Sequence, residues 1–250
     1  MKRRLILGFL WIFLINPFNY IRADVETPSA VEILKKVDDT LFSPKDQKLL
    51  MKLLLIDKDG NEKTRSIRIY QKGSEKRLAK FLSPADQKGI AFLSLPDGVM
   101  YLYLPAYEKV RRIASHVRNN KFAGTDFTYE DMEAGRYTEK WNPELVENNG
   151  ESFVLQLLPK EGTETKYSKL KIWVDPDNFF VTRIEYYDKK GSLRKIMTRT
   201  KIKQIKGYWV AEESEMYDLK AKHKTRMILE EVEFDTELKD DLFTERYLMR

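Results

Sequence analysis

The sequence contains no cysteine and only two histidines among its 250 residues. Without cysteine the chain has no disulfide, no thiolate metal ligand, no thiol nucleophile and no thiol to which an N-terminal lipid could be attached. His116 and His223 lie in no motif with a known catalytic mechanism. We therefore expect both histidines to be solvent-exposed, and we predict a protein that is not an enzyme and needs neither a metal nor a cofactor.

A long hydrophobic run is also missing. The N-terminal apolar run, Leu5–Ile15, is about 11 residues long, whereas a membrane-spanning helix needs roughly 20. The basic residues Lys2–Arg4 precede it and the small residue Ala23 follows it, which is typical of a secretory signal. We expect residues 1–23 to be a signal peptide cleaved near Ala23, which places the mature protein in the periplasm; an uncleaved N-terminal anchor is the alternative.

Once that signal is removed, the chain has nearly equal numbers of basic and acidic residues. The full chain has a net charge of +6, but residues 1–23 carry four of the basic residues, which leaves 41 basic against 39 acidic residues and a net charge of +2. This balance gives no support to a nucleic-acid partner. No internal repeat or flexible linker divides residues 24–250, so we predict one domain.

Strand patterns follow one another at roughly ten-residue spacing after residue 48. Asp57–Asn61 is a hairpin turn between two of them, and Gly and Pro turns separate the others. This regular spacing predicts an antiparallel meander of ten or eleven strands. In Gly89–Leu95 and Val99–Leu104 both faces carry large apolar side chains, so each strand is either sandwiched in a core or lines a cavity on one side.

Two segments depart from the strand pattern. An amphipathic helix is predicted to begin near Ala30 and to end before Ser43, with an apolar face formed by Val31, Leu34, Val37 and Leu41. The segment Ala114–Trp141 interrupts the strand rhythm, and we predict that it is an insertion over the sheet. Thr125 or Asp126 is a candidate cap for one short helix within it.

Four short motifs follow one another in the middle of the chain. They are F-x-x-P-x-x-x-K-G at Phe81–Gly89, D-G-x-x-Y-x-Y-L-P at Asp97–Pro105, K-V-R-R-I at Lys109–Ile113 and F-x-G-T-D-F-x-Y-E-D at Phe122–Asp131. In this order they resemble the outer-membrane lipoprotein-sorting family, the relatives of LolA and LolB. The resemblance covers most of the chain after Asp24. It implies a mainly β (α+β) fold: an open, strongly curved antiparallel sheet, or half-barrel, with an N-terminal helix and a short helical lid around an apolar cavity for acyl chains.

Candidate residues for that cavity come from the strands and the insertion. Alternation along Val99–Leu104 places Met100, Leu102 and Leu104 on one face, which we predict to be the interior one. The remaining candidates for hydrophobic-ligand binding are Met51, Leu53, Leu55, Phe92, Phe122, Phe127 and Met132. The alternative is that these are ordinary core side chains with no ligand.

Charged residues flank the insertion. We expect Arg111, Arg112 and Arg118 to pair with its acidic residues and so to hold the insertion against the sheet edge. The acidic candidates for these lid or partner contacts are Asp126, Glu130 and Asp131.

The function that we predict is a non-enzymatic periplasmic carrier, which binds the acyl chains of a lipoprotein or a free lipid and delivers them to an outer-membrane acceptor. The family resemblance further implies an inner-membrane transporter of hydrophobic molecules as a partner. The alternative is an envelope interaction module that docks on a transporter or a membrane surface. It would do so through a basic patch formed by Lys109, Arg111, Arg112, Arg118 and Lys121.

Overall fold

Thirteen antiparallel strands form one sheet in residues 27–250, the part of the chain that the computed structural model describes. The predicted signal peptide and its cleavage point lie outside these residues. The strands are β1 (Asp46–Ile56), β2 (Glu62–Lys72), β3 (Lys76–Ser83), β4 (Ala91–Leu95), β5 (Val99–Leu104), β6 (Lys109–Arg112), β7 (Trp141–Asn148), β8 (Phe153–Pro159), β9 (Tyr167–Val174), β10 (Val181–Asp188), β11 (Leu193–Ile205), β12 (Tyr208–Asp218) and β13 (His223–Phe234). The α-helices are α1 (Ala30–Leu41), α2 (Tyr137–Lys140) and α3 (Glu245–Leu248).

The strand order is β6-β5-β4-β3-β2-β1-β13-β12-β11-β10-β9-β8-β7. Two meanders are therefore joined through the pairing of β1 with β13, and the sheet is open, with β6 and β7 at its two edges. This confirms the predicted mainly β, LolA-like fold. The chain that leaves edge strand β6 and precedes α2, residues 113–136, crosses the concave face, and we call it the covering segment.

The number of strands was underestimated, because β7 gives a weak signal. Most of its side chains are exposed, and Pro143 lies inside it. Proline removes a ladder hydrogen bond and is tolerated in an edge strand, where one side of the backbone has no neighbour.

Helix α1 begins where the sequence predicts. The Ser29 hydroxyl accepts a bond from the Glu32 amide at 3.3 Å, and the Glu32 carboxylate accepts one from the Ser29 amide at 2.8 Å, which is a capping box. The predicted apolar face is wrong at one position. Val31 is 62 % exposed, while Ile33 is fully buried. The buried face of α1 includes Ile33, Leu34 and Val37, and Val31 lies outside it.

No helix within residues 27–250 has the length and apolar character needed to cross a membrane.

The sheet buries apolar side chains on both faces near β3, β4 and β5. Phe92 and Met100 belong to the main core on the concave face. On the convex face a second cluster joins strand residues to the C-terminal segment 236–250. Its fully or almost fully buried members are Leu78, Ala91, Leu93, Phe243 and Leu248. The strands with two apolar faces are thus sandwiched between two cores.

Candidate ligand-binding site

A cavity of about 380 Å³ lies between the concave face of the sheet and the covering segment. Strands β1 to β3, β7 and β9 to β13, the end of α1, helix α2 and the covering segment all contribute to its lining. Its volume is at the lower end of the range of about 300–1,000 Å³ that is usual for small-molecule sites. The cavity therefore suits one acyl chain or one small amphiphile.

One wall of the cavity is apolar. Period-2 alternation places these side chains on the concave face, since successive residues of a strand point to opposite faces. Three residues of this wall are methionines, whose flexible thioethers adapt to ligands of varied shape. The apolar wall is formed by Leu49, Met51, Ile69, Ile184, Met197, Met227 and Leu229.

Another part of the lining is polar and includes Arg77. Its Nη2 and Nε donate to the Gln71 side-chain oxygen at 2.7 and 3.0 Å, and its Nη1 donates to the Met132 carbonyl at 3.1 Å. A second guanidinium, that of Arg199, also lines the cavity and donates to the Val181 carbonyl at 3.0 Å. The cavity thus combines a hydrocarbon-like wall with two cationic side chains.

The surroundings of these groups change their pKa values. Burial, and then the nearby positive charge of Arg199, lower the pKa of Arg77 to about 10. Arg77 still carries its charge at neutral pH. Burial raises the pKa of Tyr137, which lies beside both arginines, so its hydroxyl remains neutral and able to donate.

An acidic side chain of the covering segment also faces the cavity. Glu130 accepts a hydrogen bond from the Thr165 hydroxyl and one from the Lys166 amide at 3.2 Å. Burial raises its pKa, and the neighbouring carboxylates of Asp131 and Glu133 add to that shift. Loss of its proton is therefore less favourable than for an exposed glutamate.

Asp131 anchors the covering segment to the far half of the sheet. Its side chain is 2 % exposed, accepts from the Tyr167 hydroxyl at 2.8 Å and forms an ion pair with Lys195, which is itself almost completely buried. The Lys195 ammonium also lies 5.2 and 5.1 Å from the ring centroids of Tyr167 and Tyr186. This network joins the covering segment to β9, β10 and β11.

A second anchor is formed by Asp126, which is fully buried. Its carboxylate accepts from the Thr225 hydroxyl at 2.8 Å, lies 2.6 Å from His223 Nδ1 and pairs with Lys121 at 2.7 Å. Lys121 also pairs with Asp218 at 3.1 Å. The expectation that His223 is exposed is wrong, since this carboxylate holds it in a partly buried position.

The covering segment has no α-helix capped by Thr125 or Asp126. Both side chains are buried in other contacts, and two three-residue 3-10 helices, Ser115–Val117 and Phe122–Gly124, lie on the N-terminal side of them. The predicted cap was wrong because Asp126 binds strand β13 instead of its own backbone.

Only part of the predicted hydrophobic set reaches the cavity. Met51, Phe127 and Met132 line it. Phe122 instead packs between Phe81 and Phe92, with ring centroids 5.3 and 5.7 Å away, and fills the concave face near β3 and β4. The remaining predicted residues do not line the cavity: Leu53, Leu55, Phe92 and Met100 are buried in the main core, Leu102 packs against it, and Leu104 is half-buried outside both apolar clusters.

The three predicted arginine contacts were wrong in their partners. Arg111 and Arg112 are exposed on edge strand β6 and form no salt bridge within residues 27–250. Arg118 donates to the Gly98 carbonyl at 2.6 Å. Asp131 pairs instead with Lys195 of β11, and Asp126 pairs with His223 of β13 and with Lys121 of the covering segment. These side chains lie close to the acidic residues, whereas β6 lies at the edge of the sheet.

Arg77, Gln71, Tyr137 and Arg199 were not predicted from the sequence. The one available signal is that Lys195, Met197 and Arg199 share the inward face of an alternating strand. That signal is weak, because the outward face of β11 is also charged.

A family model described as an uncharacterized protein matches residues 73–250. A solved domain described as an outer membrane lipoprotein-sorting protein, from Vibrio parahaemolyticus, is 28 % identical, and the match covers 88 % of this chain and 98 % of that chain with a TM-score of 0.82. The chain belongs to the family that this model describes, and it is similar in sequence and fold to that sorting-protein domain.

Two further solved structures share this fold. A DUF1329 family protein from Desulfovibrio piger is 25 % identical, with 89 % of this chain and 100 % of that chain covered and a TM-score of 0.81. A LolA superfamily protein from Nitrosomonas europaea is 21 % identical, with 88 % and 100 % covered and a TM-score of 0.75, which shows the fold alone. A comparison with curated proteins gave no match.

Proposed function

We propose that this protein is a non-enzymatic carrier that binds an acyl chain of a lipoprotein or a free lipid in the cavity under the covering segment. The observation that carries the proposal is the apolar, methionine-rich wall beneath a segment that crosses the open sheet. Each buried methylene contributes about 0.8 kcal/mol. A chain of ordinary length is therefore held firmly enough to be shielded from water and weakly enough to be handed on.

The proposed route of transport runs through the periplasm. The N-terminal basic and apolar segments support export and cleavage near Ala23, and the description of the Vibrio relative supports a role in sorting to the outer membrane. An inner-membrane transporter of hydrophobic molecules is the proposed donor, and an outer-membrane component is the proposed acceptor.

Native mass spectrometry with lipid extraction on the exported, mature protein tests this function. We expect one acyl-chain species per protein molecule, released by organic solvent and taken up again when it is offered. A protein that is recovered without lipid and that stays lipid-free when acyl lipids are added would contradict the proposal.

A docking function through edge strand β6 is the second candidate. Lys109, Arg111 and Arg112 are exposed there and form no salt bridge with another described residue. Arg118 and Lys121 are not part of this patch, because Arg118 donates to the Gly98 carbonyl and Lys121 pairs with Asp126. If docking is the function, Arg111→Glu with Arg112→Glu abolishes co-sedimentation with vesicles rich in anionic lipid and leaves the uptake of an acyl lipid unchanged.

A further inference from the structure

Arg77 and Arg199 face the same cavity from distant parts of the sheet. Arg77 lies on β3 and Arg199 on β11, and these strands are five positions apart in the strand order. Across a flat sheet that separation is about 24 Å, at roughly 4.8 Å per strand. Curvature brings the two guanidiniums close enough for each to act on the other, and Tyr137 lies beside both.

Neither guanidinium has a carboxylate partner in residues 27–250. Their hydrogen bonds go to the neutral Gln71 side chain and to backbone carbonyls. Two positive charges that face each other in a low-dielectric cavity repel, and the cost of removing them from water is recovered only with a counter-anion in good geometry. Several other charged lining groups are compensated by salt bridges: Asp131 with Lys195, Glu133 with Lys140, and Arg136 with Asp39.

We propose that Arg77 and Arg199 bind the anionic group of an amphiphile, a carboxylate or a phosphate, while its hydrocarbon chain lies along the methionine-rich wall. This inference rests on the proposed carrier function and names the class of its cargo. The planar guanidinium presents paired donors that match both anions, and the neutral Tyr137 hydroxyl supplies a further donor.

The acidic residues near the cavity do not occupy this position. Glu130 is held by Thr165 and Lys166, and burial raises its pKa. Glu164 also lines the cavity but is exposed. The anion therefore meets the two guanidiniums, while the Glu130 carboxyl is engaged with other groups.

Matched ligands test the proposal on the mature protein: decanoate, decyl phosphate and decanol, which share one chain and differ in the headgroup. Affinity is measured by displacement of a fluorescent acyl probe. We expect at least one of the two anions to bind about tenfold or more tightly than decanol. The preferred anion then distinguishes a fatty acid from a phospholipid as the source of the headgroup.

Arginine variants test whether these two side chains cause the preference for the anionic ligand. In Arg199→Gln the preference for the anion over decanol falls to nearly equal affinity, because affinity for the anion falls much more than affinity for decanol. Arg77→Gln should behave in the same way. Arg199→Gln is the primary test because Arg199 has fewer bonds to the rest of the fold. Arg226→Gln is the control, since Arg226 lies on the convex face of β13 and pairs with Glu215; it keeps the preference.

Three results would overturn the inference. Equal binding of decanol and both anions by the wild-type protein removes the anion site but leaves the carrier function intact. A preference that survives in both arginine variants places the anion elsewhere. Binding of none of the three ligands, or of the probe, contradicts the carrier function itself.

Discussion

At the scale of single residues, the ion pair between Lys195 and Asp131 joins the covering segment to β11, and both side chains are almost completely buried. Removal of one partner leaves a buried charge without compensation, which typically costs about 3–5 kcal/mol. We expect Lys195→Met to lower the free energy of unfolding by about that amount, measured by urea denaturation.

The control for this prediction is Lys201→Met. Lys201 pairs with Glu213 but its side chain is 60 % exposed, and exposed pairs contribute about 0–1 kcal/mol. Equal losses in the two variants would show that the buried pair does not hold the covering segment in the way that we describe.

Glu130 makes stability depend on pH in a predictable direction. Its pKa in the folded protein lies above the usual value of 4.5, so the folded state binds more protons than the unfolded state between the two values. Stability therefore falls as pH rises through that window. We expect wild-type stability relative to Glu130→Gln to decrease as pH rises above 4.5, the usual pKa of the group, measured from thermal unfolding midpoints. A difference that stays constant with pH would contradict the assignment.

At the scale of elements, the C-terminal segment explains the strands that are apolar on both faces. The sequence left two alternatives for Gly89–Leu95 and Val99–Leu104, a core on both sides or a cavity on one side. The structure places Phe243 and Leu248 against the convex face. Alternation within Val99–Leu104 was informative, since it separated Met100 and Leu102 from the tyrosines, but no local pattern identifies which distant segment covers a strand.

Removal of one side chain from that segment tests its contribution. Phe243 is 4 % exposed, and truncation of a buried phenylalanine to alanine costs about 3–5 kcal/mol. We expect Phe243→Ala to lose stability in that range and to bind a hydrophobic dye on the newly exposed face of β3 and β4. Met249→Ala is the control, because Met249 is 53 % exposed. A loss for Phe243→Ala no larger than that for Met249→Ala would contradict the role of the segment.

The covering segment was predictable as an element but not in its contacts. A break in the strand rhythm marks it in the sequence, because turn residues replace alternation there. Its buried partners, Lys195, Tyr167 and Thr225, lie between about 35 and 100 positions further along the chain. Arg111 and Arg112 were predicted as partners because they are nearer in sequence to the acidic residues, but they lie on edge strand β6.

At the scale of the whole molecule, the strand order and the curvature decide where the cavity lies. Four of the ten predicted cavity residues lie on β4 and β5, but Phe122 fills that part of the concave face. The open space lies beyond it, against β1 and β9 to β13. The proximity of Arg77 and Arg199 also depends on the curvature, because only a curved sheet brings β3 and β11 to one site.

Filling the cavity should block binding without unfolding the protein. Met227→Trp adds volume inside the cavity, and overpacking of this kind costs about 1–3 kcal/mol. We expect its affinity for an acyl probe to fall by about tenfold or more while a cooperative unfolding transition remains. Ile228→Trp is the matched control, because the next residue of β13 points to the opposite face. Equal affinities for the two variants would count against this cavity.

The most direct test of the central claim is photolabelling with a fatty acid that carries a diazirine at its methyl end, followed by peptide mapping. The account predicts that label concentrates on peptides from β1, β11 and β13, which contain Met51, Met197 and Met227, and that excess unlabelled fatty acid prevents the labelling. Label found mainly on edge strand β6 or on the C-terminal segment 236–250 would contradict it.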